Sequence, residues 1–173
     1  NELRGTVRPT IAEAMTLEDE LLEKYEVVPG GFANAEQRVA IDKVGDWLKD
    51  TASTIREYVI EGRGGTGKTA IVSKILANSA LTEDQIAYTA TTNKAAAILA
   101  YATQQETSTI WVALGIKPKD GESDLNENEI EEIEEGGEAQ LEGVKLLIID
   151  EASMIGENMI QEIEDRALTH GIK

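Results

Sequence analysis

One eight-residue stretch of the sequence has the composition and spacing of a phosphate-binding loop. It follows the pattern Gly-x-x-x-x-Gly-Lys-Ser/Thr and comprises Gly62, Arg63, Gly64, Gly65, Thr66, Gly67, Lys68 and Thr69. Glycines admit positive φ angles, so successive backbone N–H groups can turn inward around a phosphate. Lys68 would then bridge the β- and γ-phosphates of a nucleotide, and the Thr69 hydroxyl would ligate Mg²⁺. The pattern therefore predicts a nucleoside triphosphate site; the alternative is a glycine-rich turn that matches by chance.

A second candidate site is the acidic pair Asp150 and Glu151, which directly follows the apolar run 146–149. Such a run predicts a buried parallel strand, and ligands bind beyond the carboxyl ends of such strands. Asp150 would hold Mg²⁺, and Glu151 would orient and activate the attacking water. With Lys68, these acids are the predicted catalytic residues. The pair favours hydrolysis of the nucleotide over phosphoryl transfer by a kinase. The alternative interpretation is that the two acids are merely exposed at a strand end.

Hydrophobic periodicity predicts strands that alternate with helices. The predicted strands are Glu57–Gly62, Gln85–Thr92 and Lys145–Asp150, and the predicted helices are 35–48 with Asn34 as N-cap, Gly67–Leu81, Asn93–Thr103 and Glu157–Ala167. Alternating strands and helices favour an α/β fold with a mainly parallel sheet flanked by helices and joined by right-handed crossovers.

Charge is unevenly distributed along the chain. The 173 residues carry 33 Asp and Glu against 16 Lys and Arg, a net charge of −17. Residues 117–142 hold 2 basic and 11 acidic side chains, more than half of this imbalance, and are predicted to form an acidic, solvated insertion. Nucleic-acid binders are usually basic, but without this insertion and the N-terminal segment the chain is close to neutral. Composition alone therefore leaves DNA binding open.

The N-terminal segment, the lack of Cys and the short apolar runs limit which classes of protein this chain can belong to. Residues 1–30 are predicted to be a helical extension or linker that ends in the breaking sequence Val28–Gly31. The sequence has no Cys, which excludes disulfides, cysteine-ligated zinc and a thiol nucleophile. It lacks a long apolar run and a recognisable signal peptide, so we expect a cytoplasmic protein without a membrane partner. Because the sequence starts without Met, we expect it to be part of a longer chain.

The phosphate loop, the strand end Asp150–Ser153 and the segment Thr89–Ala96 together resemble the first motor domain of superfamily 1 DNA helicases, in particular the RecD and phage Dda type. The resemblance covers residues 33–173. It implies a RecA-like P-loop NTPase fold over 31–173, truncated at its C-terminal end. It also implies an ATP-dependent helicase or translocase that uses ATP and Mg²⁺ to move 5′ to 3′ on single-stranded DNA in a bacterial or phage-infected cell.

The same resemblance assigns further site residues. Those that match the family's DNA contacts are Thr91, Thr92, Asn93 and Lys94. Hydroxyls, an amide and a helix N-terminus suit phosphate contacts that do not read sequence, and Asn93 could instead be a helix N-cap. Gln37 matches the glutamine that recognises adenine, or it is a solvated helix residue. Trp111 replaces a usual histidine and either stacks on a DNA base or packs in the core.

The family's arginine fingers come from a second motor domain, so the resemblance implies that domain as a partner in the same polypeptide. A replication or recombination protein is a further possible partner. The segment 117–142 falls where relatives carry a strand-separating hairpin; here it offers no aromatic wedge, and an acidic flap that repels DNA is one hypothesis for it. Alone, this chain is expected to hydrolyse ATP very slowly. The alternatives are another P-loop ATPase, such as a packaging or remodelling motor, and a nucleotide-binding interaction module.

Overall fold

The computed structural model describes residues 19–117, 134–135 and 140–173. The chain divides into two compact units. The first unit contains residues up to 53 together with 58–79, and the second contains 54–57 together with 80–173. Part of the predicted N-terminal extension and most of the acidic segment lie outside the described residues. The predicted boundary at residue 30 falls inside the first unit and stays a prediction.

The described part of the first unit combines three helices and a short hairpin. Its elements are helix α1 (residues 19–25), strands β1 (Glu26–Val28) and β2 (Gly31–Phe32), helix α2 (Ala35–Lys49) and helix α3 (Lys68–Ala77). Strands β1 and β2 pair antiparallel. The breaking sequence predicted to be a linker is therefore a hairpin turn, and Gly30 N–H donates to Glu26 Oε1 across it at 2.7 Å.

Helix α2 starts where the sequence places its N-cap. Asn34 Oδ1 accepts from the Gln37 backbone N–H and Gln37 Oε1 accepts from the Asn34 N–H, both at 2.9 Å, which makes a complete capping box. The buried side chains of α2 recur every third residue and are Ile41, Val44 and Trp47. This spacing gives α2 one apolar face, and the helix packs against α3.

The strand predicted before the phosphate loop is wrong. Residues 54–67 contain neither helix nor strand. The Val59 side chain is 66% exposed, and the Tyr58 ring instead packs on Trp47 with centroids 5.2 Å apart. An apolar run becomes a strand only when a neighbouring strand satisfies its backbone N–H and C=O groups. Strand-like composition was present here without such a partner.

The second unit is built on a three-stranded parallel sheet of order β4-β3-β7. Its elements are β3 (Ile86–Ala90), α4 (Asn93–Thr103), β4 (Thr107–Thr109), α5 (Ile110–Ala113), β5 (Ile116–Lys117), β6 (Glu134–Glu135), β7 (Leu146–Asp150) and α6 (Glu157–Thr169), with 3₁₀ turns at Glu83–Gln85 and Ala152–Met154. After α6 the chain returns to β7, where Leu147 N–H donates to Lys173 O at 2.9 Å. The parallel sheet with its helices confirms the predicted α/β class.

A hydrophobic cluster fills the space between the sheet and helices α5 and α6. Its buried members are Ile110, Trp111, Leu114, Ile116, Leu141, Val144, Ile155, Met159, Ile163 and Ile172. Side chains from one face of the sheet, among them Leu147 and Ile149, pack against it. Helix α4 contacts β3 and β4. Helices therefore cover the sheet and hold the ends of its strands in place.

The acidic segment differs from a fully solvated insertion at its ends. Strand β6 pairs antiparallel with β5, with Ile116 opposite Glu135. Leu141 is only 2% exposed, and Gln140 N–H donates to Ala113 O at 2.9 Å. The C-terminal end of the predicted insertion is therefore part of the hydrophobic core. The roles proposed for its central residues fall outside the described residues.

No helix within the described ranges is both long and apolar enough to cross a bilayer.

Candidate functional site

The phosphate loop has the backbone geometry that anion binding requires. Gly65 and Gly67 adopt left-handed φ values of 75° and 81°, which a residue with a Cβ adopts only at a cost. Helix α3 follows at once, and its N-cap, Gly67, supplies no side-chain hydrogen bond to the first turn. The first backbone N–H groups of α3 are therefore not capped by a side chain. This end of α3 suits the negative charge of a phosphate.

Main-chain carbonyls of the loop hold the Lys68 ammonium group. Lys68 Nζ donates to Gly62 O at 2.8 Å and to Arg63 O at 3.2 Å. The Thr66 hydroxyl also donates to Arg63 O, at 2.8 Å. A Cβ added to Gly62 would lie 2.7 Å from that hydroxyl, so the loop closes tightly at this glycine. Arg63 O was not predicted as a partner of Lys68, because no side-chain pattern marks a backbone acceptor.

The fold brings Gln37 to the phosphate loop. Gln37 Nε2 donates to Thr66 O at 3.1 Å, and Gln37 Oε1 is the acceptor in the capping box with Asn34. Both polar ends of this amide are thus engaged within the chain, and Gln37 is half-buried rather than fully solvated. Adenine recognition by Gln37 would require these bonds to be exchanged, and it stays a prediction.

The acidic pair lies in the second unit at the carboxyl end of β7. Asp150 is the register partner of Ala90, the last residue of β3. Asp150 is half-buried, and its Oδ1 accepts the Glu151 backbone N–H at 2.9 Å. Glu151 is exposed and adopts a left-handed φ of 56° as the chain turns after the strand. Carboxylate oxygens are ligands that Mg²⁺ prefers.

The residues expected to contact DNA lie after the end of β3 and in the first turn of α4. Thr92, and not Asn93, is the N-cap of α4, because Thr92 Oγ1 accepts the Ala95 N–H at 3.1 Å. Asn93 and Lys94 are exposed in the first turn. Thr91 is only 7% exposed, and its hydroxyl donates to Met154 Sδ at 3.9 Å. The exposed polar groups of this segment therefore belong mainly to Asn93 and Lys94.

Trp111 packs in the core, which is one of the two interpretations left open by the sequence, and its burial argues against the DNA-stacking role also predicted for it. Its side chain is 7% exposed and belongs to the hydrophobic cluster. The indole N–H donates to the backbone of the Thr91–Lys94 segment, a contact that the sequence analysis did not predict. A ring buried on this scale offers no free face on which a base could stack.

An ion-pair cluster beside the Asn34 cap joins α1 to α2. Lys24 Nζ and the Tyr25 hydroxyl both lie 2.8 Å from a carboxylate oxygen of Asp42. The Arg38 guanidinium lies over the Tyr25 ring, 5.1 Å from its centroid. Burial alone would raise the pKa of Asp42, but the hydrogen bonds from Lys24 and Tyr25 outweigh it and hold that pKa below its ordinary value. The same hydrogen bond raises the pKa of Lys24.

The family model of the AAA domain matches residues 48–170, most of the chain. This range contains the phosphate loop, the acidic pair and the segment Thr91–Lys94. The chain belongs to this AAA-domain family. The AAA domain is a P-loop, helicase-like domain of a type found in helicases related to UvrD, Rep and PcrA, which makes the chain a P-loop NTPase with a RecA-like α/β fold. Gln37 lies outside the matched range. No curated protein matches the chain.

Proposed function

We propose that this AAA domain binds ATP with Mg²⁺ and hydrolyses it to drive a helicase or translocase along single-stranded DNA. The observation that carries the proposal is the loop around Gly65 and Gly67, whose left-handed backbone leads directly into the uncapped end of α3. The resemblance to the RecD and Dda type supports assigning the domain as the N-terminal motor of such an enzyme, with movement from 5′ to 3′.

In this proposal the loop from Gly62 to Thr69 surrounds the triphosphate with backbone N–H groups. Lys68 exchanges its bonds to the Gly62 and Arg63 carbonyls for phosphate oxygens. Thr69 and Asp150 would each supply an oxygen ligand to Mg²⁺, which would neutralise charge on the phosphates. Glu151 orients the attacking water and accepts its proton.

DNA binding is assigned to the start of α4. Asn93 and Lys94 are exposed there, where the helix N-terminus favours negative charge. Thr92 shapes this turn as the N-cap of α4. Because the Thr91 side chain is buried, Thr91 would contact DNA mainly through its backbone. Contacts of this kind bind phosphates without reading bases, so we expect affinity that falls with salt and depends little on sequence.

A second motor domain of the same polypeptide completes the proposal by supplying arginine fingers. In related phosphoryl-transfer sites such an arginine is worth roughly 10³–10⁵ in rate. Arg38 donates to Ala33 O, and Arg166 donates to Glu162 and to Leu114 O, so both are engaged within the chain. We expect the domain alone to hydrolyse ATP slowly.

The test compares Lys68→Ala with Lys74→Ala in the intact protein. Lys74 lies on the same helix but outside the phosphate loop, so its variant controls for loss of one positive charge. We expect Lys68→Ala to abolish ATP binding and ATPase activity, whereas Lys74→Ala keeps both. We also expect single-stranded DNA to stimulate the wild-type ATPase.

The outcomes separate the alternatives. ATPase activity that depends on Lys68 but ignores single-stranded DNA would indicate a packaging or remodelling ATPase instead. Nucleotide binding that survives Lys68→Ala, or cellular function that survives it, would contradict the motor and favour an interaction module.

A further inference from the structure

We infer that Gln37 positions the phosphate loop by holding the Thr66–Gly67 peptide in the orientation that phosphate binding needs. The inference rests on the proposed nucleotide site. It adds Gln37 to that site as a positioning residue, which acts on the nucleotide through the Thr66–Gly67 peptide. It assigns to Gln37 an effect on every triphosphate, whatever its base.

The first step is the fixed orientation of the Gln37 amide. Its Oε1 accepts from the Asn34 N–H at 2.9 Å, and its Nε2 donates to Thr66 O at 3.1 Å. A flipped amide would place a donor against the Asn34 N–H and an acceptor against the Thr66 carbonyl, so both contacts would become repulsive. The cap of α2 therefore dictates that the amide presents its donor to the loop.

The second step is the peptide that receives this hydrogen bond. In a trans peptide the C=O and the following N–H point in opposite directions, and the structure contains no cis peptide within its described ranges. Holding the Thr66 carbonyl on Gln37 therefore turns the Gly67 N–H away from α2. Because glycine adopts left- and right-handed backbone with similar ease, this peptide would rotate readily without a partner.

The third step is the close fit between Gln37 and Gly67. A Cβ built on Gly67 would lie 3.5 Å from Gln37 Nε2, so the amide lies directly against the loop. Gly67 is also the N-cap of α3. Gln37 thus holds the backbone just before the loop becomes a helix, and α2, which contacts α3, is also bonded to the loop through this side chain.

Adenine recognition would require the same two amide groups. Reading the base takes one donor and one acceptor, and both are engaged inside the chain in this structure. A positioning residue and an adenine reader differ in a measurable way. The first affects ATP, GTP and inorganic tripolyphosphate equally, and the second affects ATP alone.

The test uses two variants of Gln37 and one control in the intact protein. Gln37→Glu keeps an acceptor for the capping box, where Glu is a standard partner, but loses the donor to Thr66 O. Gln37→Met removes the donor without adding charge near the triphosphate. The matched control is Asn34→Ala, which removes the cap acceptor for the Gln37 N–H but leaves the Asn34 backbone N–H and the bond to Thr66.

We expect Gln37→Met to weaken ATP, GTP and tripolyphosphate binding by a common factor of about 5–10, the size of one lost hydrogen bond. Gln37→Glu, which adds a negative charge, should weaken all three by at least as much. Asn34→Ala should leave all three affinities unchanged. Losses confined to ATP would make Gln37 an adenine reader and overturn the inference, as would unchanged affinity in both variants.

A second measurement needs no ligand and separates this inference from the proposed function. Backbone hydrogen exchange of residues 62–69 should be faster in both Gln37 variants than in Asn34→Ala or the wild type. Equal exchange in all four proteins would overturn the positioning role. A wild-type protein that binds none of the three phosphate compounds would instead refute the proposed nucleotide site, whatever the exchange rates.

Discussion

Trp111 donates its indole N–H to the backbone carbonyl of Thr91 at 3.1 Å, in a buried hydrogen bond. The bond joins α5 to the turn between β3 and α4, where Asn93 and Lys94 are exposed. Trp111 therefore supports the proposed DNA-binding turn from inside the domain.

Replacing Trp111 with Phe should destabilise the protein. The variant loses the donor to Thr91 O and leaves a buried carbonyl without its partner, at a cost of about 1–3 kcal/mol. Calorimetric unfolding of the intact protein measures the change. The control is Val112→Ala on the same helix, where the side chain is half exposed and the expected change is below about 0.5 kcal/mol. A Trp111→Phe variant with unchanged melting but weaker DNA binding would restore the stacking interpretation.

Two glycine substitutions should act in opposite directions. Gly45→Ala lies inside α2 with nothing within 4 Å of the added Cβ, so it should stabilise the fold by about 0.5–1 kcal/mol. Gly67→Ala must hold a left-handed backbone at φ 81° and should cost about 1–2 kcal/mol. Urea unfolding of both variants provides the comparison. Shifts of the same sign would contradict the assigned backbone conformations.

Asp42→Asn should lower stability near neutral pH and have a smaller effect in acid. A carboxyl with a lowered pKa stabilises the fold above its unfolded pKa, and this contribution is lost as the pH falls through the folded pKa. The difference from wild type should therefore be fully present at pH 7 and should shrink as the pH falls below the unfolded pKa of about 3.9. Because Lys24 and Asp42 are partly exposed, we expect at most about 1 kcal/mol.

Unfolding measured at pH 7 and pH 3 checks this pH dependence. The control Asp46→Asn, exposed on the same helix, should change stability by less than about 0.5 kcal/mol at pH 7. A deficit in Asp42→Asn that persists undiminished at pH 3 would show that the charge of Asp42 is not its cause.

Leu141→Ala should be strongly destabilising although Leu141 ends an acidic segment. The side chain is almost completely buried in the hydrophobic cluster, and truncating such a leucine costs about 2–5 kcal/mol. Its neighbour Glu142 is exposed, so Glu142→Ala is the matched control with little expected change. Similar urea midpoints for both variants would exclude residue 141 from the core.

Local signals in the sequence predicted the longer helices α2, α3, α4 and α6 and the five-residue strands β3 and β7. Helix α4 has the predicted bounds, and β7 differs from its prediction by one residue. The N-cap of α4 is Thr92 and not Asn93, the residue considered for it, because both are good caps and only backbone geometry selects between them. The strand at 57–62 was wrong because its sequence does not reveal whether a partner strand is present.

The contiguous part of the candidate site was accessible to sequence analysis, and the long-range part was not. The phosphate loop occupies one stretch, so its glycines could be matched position by position. The bond from Gln37 to Thr66 joins residues 29 positions apart, and local periodicity does not encode such a contact. Trp111 was ambiguous for a related reason: an aromatic side chain near polar residues suits both a core and a binding face.

The ladder between β3 and β7 pairs five consecutive residues, from Ile86 with Leu146 to Ala90 with Asp150. Neither strand can slide along the other without breaking several backbone hydrogen bonds at once. A displacement of Asp150 along β7 would therefore have to break these backbone bonds or move the end of β3 with it. The acidic pair and the segment that starts at Thr91 therefore follow directly from two strands joined by backbone hydrogen bonds.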